Sequence, residues 1–274
     1  MHGGMNWQVT EVFKTLFTPG QSKHLAKQQA RQQGAKSSHQ IGKTTNLFCY
    51  NTSKKYRNVA KDCLKYTREK FGINNVEKLT GQHIEAFLQS KIDKKITEGS
   101  LRAYASALQK FEVALNKYAE IHGTGRTYDF AGQISFVCKQ AYKEGNLPKM
   151  NEKYGGSRVY KNPDKIIGAL KNEKHRIVAQ LQKEYGLRIR EANLIKKEQL
   201  VGENKIVLTK AGTKGGRIRQ VEVSKQLYED VKAIIEKEGR FYVSQNHYRE
   251  DLKETCQQLQ EDYYGTHGLR WNYA

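Results

Sequence analysis

The sequence contains no apolar run long enough to cross a bilayer, and its first residues, MHGGMNWQVTEVF, lack the apolar core of a signal peptide. An anionic membrane surface is a poor partner too. The basic residues are spread along the whole chain and are not gathered on one amphipathic helix. Cysteine is scarce: Cys49, Cys63, Cys138 and Cys256 lie far apart and form no C-x-x-C pair. That spacing argues against both a zinc site and a disulfide framework. A GKTT stretch at 42–45 is not a phosphate loop, because Ser37 stands where the motif requires glycine and no strand precedes it. Acid falls well short of base. Against 48 Lys and Arg there are 28 Asp and Glu, which leaves a net charge of +20.

A surplus of that size says little about fold but a good deal about partners. It implies strong, salt-dependent attraction to a polyanion, and nucleic acid fits best. The reading is a soluble cytoplasmic protein, associated with the nucleoid, that binds DNA or RNA. With 274 residues and a hydrophobic fraction of 37%, the chain can build one large core or two ordinary ones.

Residues 21–45 are polar, basic and nearly free of large apolar side chains, so residues 1–50 read as a mobile basic arm. From about Ser53, Tyr56, Val59, Ala60, Cys63, Leu64, Thr67 and Phe71 recur at three- and four-residue spacing until Gly72. Thr80 caps a second helix with Ile84, Phe87, Leu88 and Ile92 inward, and Ser100 opens a third. A fourth covers 134–142. Residues 51–146 thus form a four-helix unit. Its outward cations, among them Lys54, Lys55, Arg57 and Arg102, are candidates to track DNA phosphates, although any single one is more simply a solvated surface residue.

Glycines, charges and two of the three prolines over 145–164 then mark a linker, placed at 147–162. Residues 163–274 begin with helices over 163–185, and Gly186 turns the chain into LRIREANLI. KIVLT and RIRQVEV, the latter alternating Ile218, Val221 and Val223 with polar residues, pair as a hairpin around Gly212, Gly215 and Gly216. Arg217 and Arg219 are further DNA-binding candidates there. Two amphipathic helices precede the terminal THGLRWNYA.

Three ordered pieces of this second half carry more weight together than apart: G-L-R-I-x-E-A, a K-G-G-x-x-R hairpin, and H-G-L-R. In that order they resemble the signature of the tyrosine recombinase and phage integrase family, and the helical unit before them resembles its core-binding domain. The resemblance implies a mainly α fold with a small β-sheet: an N-terminal four-helix, SAM-like core-binding domain, then a mixed α/β catalytic domain. It implies site-specific DNA cleavage and rejoining through a 3′-phosphotyrosyl link, as in mobile elements, without metal, ATP or other cofactor. Arg188 and Arg270 would hold the non-bridging phosphate oxygens, since guanidinium groups offer paired donors and stay charged. Lys214 would protonate the departing 5′ oxygen. His267, one helical turn before Arg270, would hydrogen-bond the phosphate or relay a proton.

The partners implied are double-stranded DNA, a homotetramer on two paired sites with the two domains closing around the duplex, and accessory DNA-bending proteins. The family's nucleophilic tyrosine lies a few turns beyond H-x-x-R, after a further His or Trp. Here the given sequence stops first, so four of six expected groups are present. Tyr273 and Trp271 do not match the missing positions. The competing readings are a binding-only remnant, a type IB topoisomerase and a basic helical RNA-binding protein. The small helical first domain disfavours the topoisomerase, and the lack of an aromatic stacking run disfavours the RNA binder.

Overall fold

A computed structural model of the chain describes residues 1, 3–145, 147–148, 157–209, 213 and 218–274. The chain divides into two compact units, Met1–Glu152 and Lys153–Ala274.

The first unit opens with α1 (Met5–Lys14), α2 (Lys23–Gln32) and α3 (Ser38–Thr44). In place of an arm, these residues are folded. In α1, Val9, Val12 and Phe13 fall at helical spacing and are buried in the core together with Leu16 and Leu47, and Phe13 stacks on Phe111 at 5.6 Å. The polar stretch that follows is ordered by caps, not by apolar burial. Ser22 accepts from the Leu25 amide, and a Ser37–Gln40 capping box starts α3. Sequence polarity concealed both helices, because α2 buries only Ala30 and α3 only Ile41.

Four longer helices build the body: α4 (Tyr50–Phe71), α5 (Gly81–Asp93), α6 (Glu98–Ile121) and α7 (Ala131–Glu144). Their apolar stripes meet in a core that includes Leu64, Ile84, Phe87, Leu88, Leu101, Leu108 and Phe111. Helix α4 stops where Gly72 takes φ +69°, and α6 starts two residues before Ser100, capped by Thr97. The connection between α6 and α7 is tied down by polar groups. Asn116 exchanges two hydrogen bonds of 2.8 Å with the Tyr128 backbone, and the buried Glu112 accepts from the Phe130 amide.

The second unit comprises α8 (Pro163–Ala169), α9 (Glu173–Tyr185), α10 (Ile189–Ala192), β1 (Leu194–Lys196), β2 (Leu200–Val201), β3 (Lys205–Leu208) and β4 (Arg219–Glu222). It continues with α11 (Lys225–Glu238), β5 (Arg240–Tyr242), α12 (Gln245–Gln258) and α13 (Thr266–Trp271). Its strands form two antiparallel sheets, β1–β5 and β2–β3–β4. The hairpin read from KIVLT and RIRQVEV is the β3–β4 pair, with Ile206 opposite Val221 and Leu208 opposite Arg219. Ile218 lies outside β4 and is 58% exposed, so the alternation begins one residue later than its sequence implied. Residues 210–212 and 214–217, including Gly212, Gly215 and Gly216, fall outside the described residues. The fold as a whole is mainly α with small β-sheets, as the resemblance implied.

The stretch assigned to a linker is narrower than its composition implied. Residues 149–156 lie outside the described residues, but Leu147 is buried in the first core and Tyr160 in the second. Tyr160 ties into the far end of its unit. Its amide and carbonyl bond the Asn272 side chain, and its hydroxyl donates to the Gly265 carbonyl. Among the described residues, no helix is long and apolar enough to cross a membrane.

Candidate functional site: an arginine cluster around Gly186 and Glu191

Gly186 ends α9 with φ +64°, a conformation that side chains with a Cβ adopt at a cost. Two residues on, Arg188 stands at the N-cap of α10, with Glu191 three positions into that short helix. This i, i+3 spacing lets the buried Glu191 carboxylate accept from both the Arg188 amide and its Nη1, each at 2.8 Å. The same carboxylate accepts from Nη2 of Arg219, the first residue of β4, at 2.9 Å. Burial alone pushes the Glu191 carboxyl up, but the bonds from Arg188 and the Arg219 charge more than offset it and hold it below the usual range.

Arg270 reaches this cluster from α13. Its Nε donates to the Gly186 carbonyl at 2.7 Å, and Nη2 of Arg219 leans on the same oxygen at 3.4 Å. The Arg270 guanidinium is held below its ordinary pKa by burial first and then by the charges of Arg188 and Arg219, with Glu191 opposing. Three guanidinium groups therefore face one carboxylate, a surplus of two positive charges. Arg188 and Arg219 keep 38% and 35% of their side-chain surface exposed, so the cluster is open to a ligand. A group bearing two negative charges on adjacent oxygens would match both the charge and the paired-donor geometry.

α13 is seated by close backbone packing. A Cβ on Gly268 would stand 2.6 Å from the Tyr160 ring and 2.8 Å from the Arg158 carbonyl, so glycine is required for this approach. A Cβ on Gly186 would stand 2.5 Å from the Tyr273 ring. Tyr273 thus lies over the turn that holds the site, and its amide continues the helical run by bonding the Arg270 carbonyl at 3.3 Å. His267 is exposed on α13, three residues before Arg270.

Of the residues read from sequence, Arg188 and Arg270 converge, and His267 shares the helix of Arg270. Lys214 and Arg217 lie outside the described residues. Arg219 is not a freely solvated cation but a member of the arginine cluster. On the first unit, Lys54 and Lys55 are exposed on α4, whereas Arg57 lies against the Tyr50 ring and Arg102 pairs with Glu98 at 2.7 Å. Glu191 and Gly186 are the site residues that the sequence reading did not assign. Both stood inside the quoted Y-G-L-R-I-R-E-A run, and the i, i+3 spacing of Arg188 and Glu191 was the available signal.

No family model and no curated protein matches the sequence. Solved structures do match, and they define the fold as that of the tyrosine recombinases and integrases. One is the XerH site-specific recombinase bound to palindromic difH substrate (TM-score 0.57, 14% identity), covering 100% of this chain and 85% of that one. A second is the Tn1549 transposon integrase in complex with transposon right end DNA, with TM-score 0.53, 14% identity and coverage of 91% and 84%. A lambda integrase dimer bound to a COC′ core site matches at TM-score 0.53 and 14% identity, with coverage of 100% and 73%.

Proposed function

We propose that this protein is a site-specific DNA recombinase of the tyrosine type, and that the arginine cluster grips the scissile phosphodiester. The observation that carries the reading is the convergence of Arg188, Arg219 and Arg270 on Gly186 and Glu191. In the reaction, a tyrosine hydroxyl attacks phosphorus and passes its proton through His267 or water to solvent, a P–O bond to tyrosine forms, and the bond to the 5′ oxygen breaks. Lys214 supplies the proton that the 5′ oxygen takes up. Joining reverses these steps with a second 5′-hydroxyl, so the bond energy is conserved and ATP is not consumed.

Arg188 and Arg270 stabilise the non-bridging oxygens as charge accumulates on the five-coordinate phosphorus. Glu191 is a positioning residue that orients Arg188 and Arg219. His267 donates to the phosphate or relays the proton from its exposed place on α13. The duplex is the substrate, and the tetramer on two paired sites is the assembly in which two cleaved duplexes exchange strands.

A second reading, occupation of recombination sites without cleavage, is favoured by the position of Tyr273. Its ring packs over Gly186 on the same helical run as Arg270. Two groups that close along one helix do not approach phosphorus in line from opposite faces.

One experiment separates these readings. Duplexes retained by the protein are selected from a random pool, and the selected sequence is resynthesised with a 5′-bridging phosphorothiolate, whose sulfur leaves without a proton and does not rejoin. A covalent protein–DNA adduct supports cleavage. Selective binding with no adduct supports the second reading, and the absence of selective binding contradicts both.

A further inference from the structure

Helix α13 carries His267 and Arg270, yet it has six residues, and no side chain caps its start, where Gly265 takes φ +73°. Isolated helices shorter than about 12–15 residues are marginal in water, so this one is held from outside. Tyr160 holds it at both ends. Its hydroxyl donates to the Gly265 carbonyl and accepts from the Tyr264 amide, each at 3.1 Å. At the other end, its amide donates to Oδ1 of Asn272 at 3.2 Å, and its carbonyl accepts from Nδ2 at 2.9 Å. One residue thus spans the helix from just before its first turn to just after its last. Gly268 sits between, and the Cβ it lacks would stand 2.6 Å from the Tyr160 ring.

Apolar burial does not account for this pattern. Tyr160 belongs to the core of the second unit, but a phenylalanine would fill nearly the same space. A buried hydroxyl and buried peptide groups cost free energy unless they are bonded. Here their partners stand at 264, 265 and 272, the two flanks of one short helix. The buried hydroxyl of Tyr248, in the same core, bonds instead to the Gln182 side chain on α9. Electrostatics gives the fastening a reason. Before a phosphate arrives, the charges of Arg188 and Arg219 oppose that of Arg270, and only Glu191 acts against them. That repulsion pushes α13 away from α9 and loosens the bond from Arg270 Nε to the Gly186 carbonyl. Tyr160 resists it.

We infer that Tyr160 is a positioning residue for the phosphate site. By fastening both ends of α13 it fixes Arg270 against Gly186, so that the guanidinium is in place before the phosphate reaches it. The inference rests on the reading of the arginine cluster as the grip on a scissile phosphodiester. Preorganised donors stabilise developing charge because they need no rearrangement during the reaction, and a misplacement of about 1 Å forfeits much of that gain. Tyr160 is packed against the helix and acts through Arg270, not on the phosphate. Its loss therefore lowers the rate of cleavage more than the affinity for duplex, which many other cations share.

The test uses the full chain and its variants. Tyr160→Phe removes the hydroxyl bonds and keeps the ring, and Asn272→Ala opens the clasp at the other end of α13. Tyr248→Phe, which removes a buried hydroxyl of the same unit, is the control. Solvent exchange of the Arg270 Nε–H, followed by NMR, reads its bond to Gly186, with the denaturation midpoint measured in parallel. Tyr160→Phe and Asn272→Ala should each speed that exchange by about tenfold or more, the effect of losing two hydrogen bonds. Tyr248→Phe should leave it unchanged while lowering the midpoint by a similar amount. On the 5′-bridging phosphorothiolate duplex, Tyr160→Phe should slow single-turnover adduct formation at saturating DNA by about tenfold and keep duplex affinity within about twofold. Unchanged Arg270 exchange in Tyr160→Phe, equal effects in all three variants, or a loss confined to affinity would overturn the assignment and leave the recombinase reading standing. Faster exchange with cleavage unchanged would overturn it too, since Tyr160 would then hold the fold and not the site. If the parent forms no adduct, the cleavage reading fails, and the exchange rates alone decide whether Tyr160 places Arg270.

Discussion

The Nε of Arg270 donates to the carbonyl oxygen of Gly186 at 2.7 Å. Gly186 lies two residues before Arg188, so the second arginine of the site is anchored on the turn that delivers the first. Glu191 adds a further tie, from Arg188 to Arg219 on β4. The cluster therefore joins α9, α10, α13 and β4 through a handful of polar contacts. Its geometry is set by backbone groups as much as by side chains.

Gly186→Ala tests the turn. The substitution meets both a φ of +64° and the Tyr273 ring at 2.5 Å. A strained backbone conformation of this kind costs about 1–3 kcal/mol. The second unit should lose stability in that range, read from the denaturation midpoint reported by Trp271. An unchanged midpoint would mean that the turn relaxes freely and is no anchor.

Glu191→Gln tests the carboxylate. The glutamine amide keeps one acceptor oxygen but loses the charge and sets an NH2 donor against guanidinium or amide N–H donors, which should cost about 2 kcal/mol, typical of hydrogen bonds to charged groups. The pH dependence has a definite sign. The folded-state pKa of Glu191 lies below its unfolded value, so its contribution is present above the unfolded value, near about 4.3, and is lost as pH falls through the folded one. The difference in stability between parent and variant should thus be constant above about pH 5 and shrink below pH 4 or so. A gap that widens on acidification would contradict the assignment.

Arg188→Ala separates chemistry from binding. Loss of one preorganised donor to the developing charge should slow single-turnover cleavage of the phosphorothiolate duplex by about 100-fold or more. Duplex affinity should fall by less than about tenfold, since a single phosphate contact is removed. Equal losses in cleavage and affinity would make Arg188 a binding residue only.

Much of the architecture was legible in the sequence. Helices α4 to α7 and α9 carry apolar residues at three- and four-residue spacing, and glycines at 72, 145 and 186 end three of them. The helices α2 and α3 were not legible, because caps, and not an apolar stripe, hold them. Strands β1 and β5 escaped notice for a different reason. Each has three residues, and Ile195 finds its partner Phe241 only after 45 residues of intervening fold. In the site, Arg188 and Arg270 could be named from motif order. The role of Glu191 depends on its burial, and that of Arg219 on strand register. Neither property is written in local sequence.

The most direct test of the central claim is selection from a random duplex pool, followed by a salt titration on the selected sequence. A DNA recombinase of this type is expected to enrich one sequence family with two related half-sites, bound with an affinity that falls steeply as salt rises. A pool that emerges unenriched, or an affinity flat in salt, would contradict it.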